Sequence, residues 1–186
     1  MTVRTRHHNA AAHREELADQ INTNETDIST INGYSIPVQF VFTQDGDYAS
    51  GTGTIPADDT IPQNDEGNEF MTLSITPTDA DNLLKIEVIA LVSSSTANER
   101  TAGALFQDDT ENALAAMAAN YDGNTTLTPQ PIVFTHCMTA GTTSSTTFKF
   151  RAGQPTAGTT GFNGWNSTRI FGGVMASSIT ITEYKA

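Results

Sequence analysis

The sequence has one cysteine, one tryptophan, only nine lysines and arginines against 21 acids, and no long apolar run. A single thiol, Cys137, excludes an internal disulfide framework. Its neighbours Ile132, Val133, Phe134 and Met138 make it read as a buried small hydrophobe rather than a reactive or metal-binding group. No stretch approaches the ~18 consecutive apolar residues that a membrane span needs, so no membrane insertion is expected. Residues 1–14 (MTVRTRHHNAAAHR) lack the apolar core of a secretory signal. The expectation is a soluble chain made in a cytoplasm.

Catalytic signatures are missing too. The chain has no G-x-S-x-G elbow, no H-E-x-x-H, no P-loop and no dinucleotide fingerprint. His7, His8 and His13 sit in the N-terminal arm, and His136 alternates with Phe134 and Met138 as an inward-facing core histidine. Asp45, Asp47, Asp65, Glu66 and Glu69 are oxygen donors, but their spacing fits no calcium-loop signature. The expectation is no catalytic residue, no metal site and no cofactor. A polysaccharide depolymerase, whose paired carboxylates would be a spatial feature invisible in sequence, is a third reading behind two non-enzymatic ones.

Charge is present but unevenly placed. The formal total is −12, and residues 1–14 hold Arg4, Arg6 and Arg14 with no acid; taking that +3 from the total leaves −15 on residues 15–186. A basic arm on an acidic body points to docking of the arm on something negative. Three arginines are too few, and the body too acidic, for nucleic acid. A protein socket is the expected partner, with Arg4, Arg6, His7, His8 and Arg14 as docking residues; a solvated arm fringing the next segment is the alternative.

Leu17, Ile21, Asn24, Ile28 and Ile31 recur at steps of four, three, four and three. Such a heptad seam cannot bury itself within one chain, so it predicts a homo-oligomer on a short coiled coil. Isoleucine at both a and d positions favours three strands or more, and a homotrimer is the leading count; Asn24 would form a buried polar layer. The helix is predicted over residues 10–31, ending at Asn32-Gly33, a stalk of about 33 Å. A single amphipathic helix packed on its own domain is the alternative.

Beyond the helix the period changes from 3.5 to 2. Ile36, Val38, Phe40 and Phe42 alternate with their neighbours as a strand that ends in the turn Gln44-Asp45-Gly46-Asp47. Residues 44–69 read as an acidic loop, mobile or cation-binding. Strands follow over residues 70–76, 83–92, 103–107, 132–138, 146–152, 169–174 and 177–184. Along the longest, Leu84, Ile86, Val88, Ala90 and Val92 share one face, while the other mixes Lys85 and Glu87 with Ile89 and Leu91. That two-sided apolarity predicts burial by the core and by a neighbouring subunit. Residues 111–120 (ENALAAMAAN) read either as a short helix or as part of the β domain. About eight strands close most often as a jelly roll.

The predicted fold is thus mainly β: a basic arm over 1–14, a trimeric coiled-coil helix over 15–33 and a jelly-roll-like β-sandwich knob over 34–186. Within the knob, 34–69 are an incoming strand and acidic loop and 70–186 the core.

Four segments carry a resemblance: residues 104–112 (ALFQDDTEN), 138–153 (MTAGTTSSTTFKFRAG), 158–164 (GTTGFNG) and 171–184 (FGGVMASSITITEY). They resemble C-terminal domains of bacteriophage fibre and virion-surface proteins, over residues 70–186. The most specific element is the ending that carries Phe171, Gly172, Gly173, Ser177, Ser178, Ile179, Ile181 and Glu183. The resemblance implies a trimeric β-sandwich at the outer end of a fibre on the virion surface, made in the cytoplasm of a bacterial host. Docked by its arm on a tail, connector or capsid protein, the knob would touch a host glycan or protein. A stalk of three heptads is short for a long tail fibre, so a capsid decoration protein or head fibre capping a three-fold site is the runner-up. Trp165, between Asn163 and Asn166 in a glycine-flanked loop, reads either as a receptor contact with those asparagines or as a plug at one end of the sandwich.

Overall fold

The computed structural model describes residues 14–22, 36–120 and 128–186, apart from Asn166 and the side chain of Trp165. The chain divides into two units, Met1–Ile36 and Pro37–Ala186. In the first, residues 14–22 are helical and exposed throughout, with Leu17 and Ile21 at 44% and 56% exposure. Asn24, Ile28 and Ile31 of the seam, and Arg4, Arg6, His7 and His8 of the arm, lie outside the described residues; Arg14 is helical and exposed.

The second unit is built from strands. In chain order they are β1 (Pro37–Asp45), β2 (Ala49–Gly51), β3 (Asn68–Ile75), β4 (Leu83–Ser94), β5 (Thr101–Gln107) and β6 (Ala115–Ala119). There follow β7 (Gln130–Thr139), β8 (Thr146–Gly153), β9 (Thr160–Phe162), β10 (Gly164–Trp165), β11 (Thr168–Arg169) and β12 (Ser177–Tyr184). A short 3₁₀ turn, Phe171–Gly173, precedes β12.

Pairing is antiparallel throughout these strands. The β4 strand lies between β7 on one edge and β12 and β9 on the other; β12 pairs residues 83–89 and β9 takes over at residues 92–94. Beyond them β1 pairs with β12 and β2 with β9. Taking β1 with β2, and β9 with β12, as interrupted strands, the first sheet has four lines. The second has the order β3-β8-β5-β6. Every connection along the chain crosses between sheets except the β5–β6 hairpin. Two four-stranded sheets wound in that order are a jelly roll.

The core follows from the pleat. Leu84, Ile86, Val88, Ala90 and Val92 of β4 and Ile179 and Ile181 of β12 face Leu105 of β5 and Phe148 and Phe150 of β8, all fully buried. Each of these side chains other than the Ala90 methyl contributes on the order of 1.5–3 kcal/mol by leaving water. A bulge at Phe70 in β3 turns that ring inward, where it stacks on Phe162 at 5.0 Å. On the outside of the second sheet, Ala104 and Phe106 form a satellite core beneath Ile55 of the loop 52–67.

Several expectations are corrected. Of the two readings left open for residues 111–120, the β one holds over 115–119: Thr101 to Leu105 of β5 pair with Ala119 to Ala115, and sheet pairing overrides alanine's helix preference. The segment 44–69 is not a loose acidic loop. Its residues 49–51 are a strand, and Arg151 clamps the return with Nε and Nη2 donating to the carbonyls of Glu66 and Gly67 at 2.7 and 2.8 Å. Cys137 is exposed rather than buried, because the β7 pleat turns Ile132, Phe134, His136 and Met138 inward and the residues between them out. His136 does share the inward row, yet it is half-buried rather than core, since β7 is an edge strand; burial lowers its pKa from the ordinary histidine value. Residues 169–174 are not one strand but the end of β11 and the 3₁₀ turn.

Candidate functional site

Where β9 leaves the edge of β4 and β12 takes its place, the chain makes an excursion over residues 163–176. It carries a two-residue ribbon in which Gly164 pairs with Arg169 and Trp165 with Thr168, then the turn at Phe171–Gly173. The backbone marks the break: Asn163, Ser167, Phe171, Gly172 and Gly173 all have positive φ, between 52° and 92°, which no regular strand tolerates.

The base of the excursion is fixed by Asn163. Its backbone N–H donates to Leu91 O at 3.0 Å, its Nδ2 to Asp45 O at 2.6 Å, and its Oδ1 accepts from Ser177 Oγ at 2.5 Å. Ser177 Oγ in turn accepts from the Leu91 amide at 2.9 Å. One fully buried asparagine therefore ties β1, β4 and the first residue of β12 together. Farther out, Arg169 Nη1 donates to Asp47 Oδ1 at 3.0 Å, and Asp45 caps its own turn by accepting from the Asp47 amide at 2.7 Å. Gly46 lies so close to Gly173 that a Cβ there would overlap the Gly173 carbonyl oxygen.

The tip is open. Phe171 and Val174 are 75% and 85% exposed, the most exposed large apolar side chains among the described residues. Aromatic and aliphatic groups held out by a rigid base are suited to apolar or ring-stacking contact. Along β1, the Asp45 end that meets the excursion lies about 27 Å from Pro37, where the chain enters the sandwich. The excursion and the point of chain entrance are thus at separate places on the domain.

Of the expected contact residues, Asn163 is corrected: it is 0% exposed with both amide ends engaged, so it is an anchor and not a surface contact. Trp165 contributes backbone to the ribbon; its side chain, and Asn166, lie outside the description. Phe171 and Val174 were missed because they were read as strand. The signal was present in Gly172-Gly173, a pair that suits positive φ better than pairing.

At the chain-entrance end a cleft of about 400 Å³ is lined by Val38, Thr78, Asp79, Asp81, Asn82 and Lys185. Beside it Glu183 is fully buried. Its Oε1 accepts from Thr78 N, Thr78 Oγ1 and Asn82 Nδ2 at 2.8, 2.7 and 2.6 Å, and from Asp79 N at 3.4 Å. The Gln39 amide, turned so that its nitrogen donates, reaches Glu183 Oε2 at 2.9 Å and Thr76 O at 3.1 Å. Burial pushes this carboxyl up; the bonds from Asn82 and Thr78 and the Asp79 amide together outweigh it, holding Glu183 below the ordinary glutamate value. Both oxygens are occupied in joining the 76–82 loop, β1 and β12. Among the described residues no three acids, histidines or cysteines group as metal ligands, and no helix is long and apolar enough to cross a membrane.

No protein-family model and no curated protein matches the chain. Solved structures give distant likenesses. A TNF of S. frugiperda, Eiger, is 10% identical with a TM-score of 0.45, over 81% of this chain and 94% of that one. An infectious bursal disease virus T13 particle protein is 14% identical at TM-score 0.41, over 78% of this chain and 31% of that one. A CBM4 structure is 20% identical at TM-score 0.37, over 72% and 79%. Likenesses this remote carry no functional weight; the jelly roll rests on the strand order itself.

Proposed function

We propose that the chain is a non-enzymatic structural protein of a bacteriophage virion, a homotrimeric surface fibre. Its N-terminal residues dock on the particle and its C-terminal jelly roll contacts the host surface. One observation carries the reading: an excursion with exposed Phe171 and Val174, braced by buried Asn163, stands well apart from Pro37, where the predicted stalk joins the domain. That is the arrangement a projecting knob requires, with attachment at one place and contact at another. The heptad seam and the fibre-like ending over residues 171–184 support the same reading from sequence.

Two substitutions test it. Phe171→Asp with Val174→Asp alters only exposed side chains, so the purified protein should keep its melting temperature while its adsorption to host cells falls at least tenfold. Unchanged adsorption would remove the excursion from the contact. Deleting residues 1–14 should leave a soluble trimer that no longer joins the particle; continued incorporation would end the docking role. A capsid decoration protein or head fibre would use the same parts, and antibody labelling of intact particles separates head from tail.

A further inference from the structure

The two sheets differ on their outer faces. That of β3-β8-β5-β6 is partly covered by the chain itself, where Ile55 lies over Ala104 and Phe106. The outer face of the other sheet has no such cover among the described residues. Val38, Phe40 and Phe42 of β1, Leu83 and Ile89 of β4, and Val133 of β7 stand out from it, each between 39% and 64% exposed. They are half of the exposed large apolar side chains among the described residues. The register sets them in two groups on one face: Phe40 and Phe42, their rings 5.9 Å apart, on the β1 edge, and Ile89 opposite Val133 on the far side, with Thr180, Thr182 and the Lys85–Glu87 pair between them.

Charge indicates what covers this face. The protein carries 21 acids against nine cations, yet the outward positions of these four strands hold one lysine and one glutamate. Lys85 and Glu87 are bonded to each other at 2.9 Å, so the face is neutral on a strongly acidic body. A second copy of the same acidic chain could approach closely through this surface and be repelled elsewhere.

Area is consistent with this division of labour. Four strands at ~4.8 Å spacing and seven residues at ~3.4 Å give about 450 Å². That is roughly half of the ~800 Å² per partner that a stable interface buries; the seam would supply the rest.

We propose that the outer face of the β1-β12-β4-β7 sheet is the surface through which copies of this chain pack around their three-fold axis. The inference rests on the trimeric reading above and adds the face that the subunits share. It leaves the opposite sheet and the excursion free for other contacts.

The single thiol is a built-in reporter, because Cys137 is exposed on this face and pairs in register with Lys85. The test uses the full chain at micromolar concentration, with analytical ultracentrifugation and the rate of maleimide labelling at Cys137. The urea-unfolded chain serves as the reference for a free thiol. Wild type should sediment as a trimer with labelling at least tenfold slower than in Phe40→Asp/Phe42→Asp. If that pair fails to fold by circular dichroism, Ile89→Lys replaces it with the same expectation. A trimer whose Cys137 labels as fast as in the variants overturns the face and leaves the trimer standing. A monomer overturns both.

Discussion

Replacing Glu183 with glutamine is the sharpest test of how the sandwich is held at its chain-entrance end. The substitution keeps shape and one carbonyl oxygen, so Thr78 and Asn82 keep an acceptor, but it removes the charge from three bonds of 2.6–2.8 Å. A net bond to a charged group contributes about 1.5–3 kcal/mol and one to a neutral group about 0.5–1.5, so each loses about 1 kcal/mol. The new amide nitrogen would also face the donating nitrogen of Gln39, which must turn round and give up Thr76 O, another ~1 kcal/mol. Relief from burying a charge offsets part of this. The net expectation is a loss of about 2–3 kcal/mol at pH 7, or roughly 5–10 °C in Tm for a domain of this size.

The pH dependence gives the result its specificity. Because the folded carboxyl ionises below its ordinary value, its contribution is complete above the unfolded pKa of about 4.3 and is lost as the pH falls through the folded one. Urea unfolding of wild type and E183Q at fixed protein concentration should show a gap that is widest at pH 7 and closes in acid. A gap of equal size at pH 3 and pH 7 would refute the role of the charge. Equal stability at pH 7 would refute the network.

Other expectations concern the excursion. Asn163→Ala removes both amide bonds from a buried position and places a Cβ-bearing residue at φ 54° without asparagine's tolerance; it should cost about 2–3 kcal/mol by thermal melting, with Asn163→Gly costing less because the φ is then free. Gly46→Ala sets a methyl on the Gly173 carbonyl, so it should lower Tm and raise the proteolysis rate between residues 163 and 176, whereas Gly141→Ala, at φ 68° with open space around it, should cost only the ~1 kcal/mol of its backbone strain. Phe171→Gly relieves a positive φ of 52° on an exposed residue, so stability should stay within about 1 kcal/mol of wild type while host adsorption drops; a larger loss would mean the ring packs on the body.

How much of this was legible depended on whether a residue's role followed from alternation. The period of two in residues 84–92 exposed the inner face of β4 directly, and every predicted inward residue is buried. The same rule, applied through β7, would have shown that His136 and Cys137 cannot both face inward. It would also have singled out Glu183, which shares parity with Ile179 and Ile181 and so had to enter the core with partners. What sequence could not reveal was tertiary pairing. Nothing local says that Ala115 to Ala119 must lie beside β5, or that an asparagine between Phe162 and Gly164 closes a network joining β1, β4 and β12.

The excursion and the open sheet face violate local rules in opposite ways, and each violation is informative. Phe171 adopts a left-handed φ that costs an ordinary residue about 1–2 kcal/mol, and at 75% exposure the ring gains little from the body in return. Neither burial nor backbone preference accounts for an aromatic there, whereas the proposed contact outside the domain would. Phe40 and Phe42 have ordinary extended backbone in β1 and are also mostly exposed, so nothing about their conformation is strained and only their surroundings are incomplete. A strained aromatic on a braced tip suits a contact that is made and broken. An unstrained apolar row on a sheet suits one formed once, as in the proposed packing of copies.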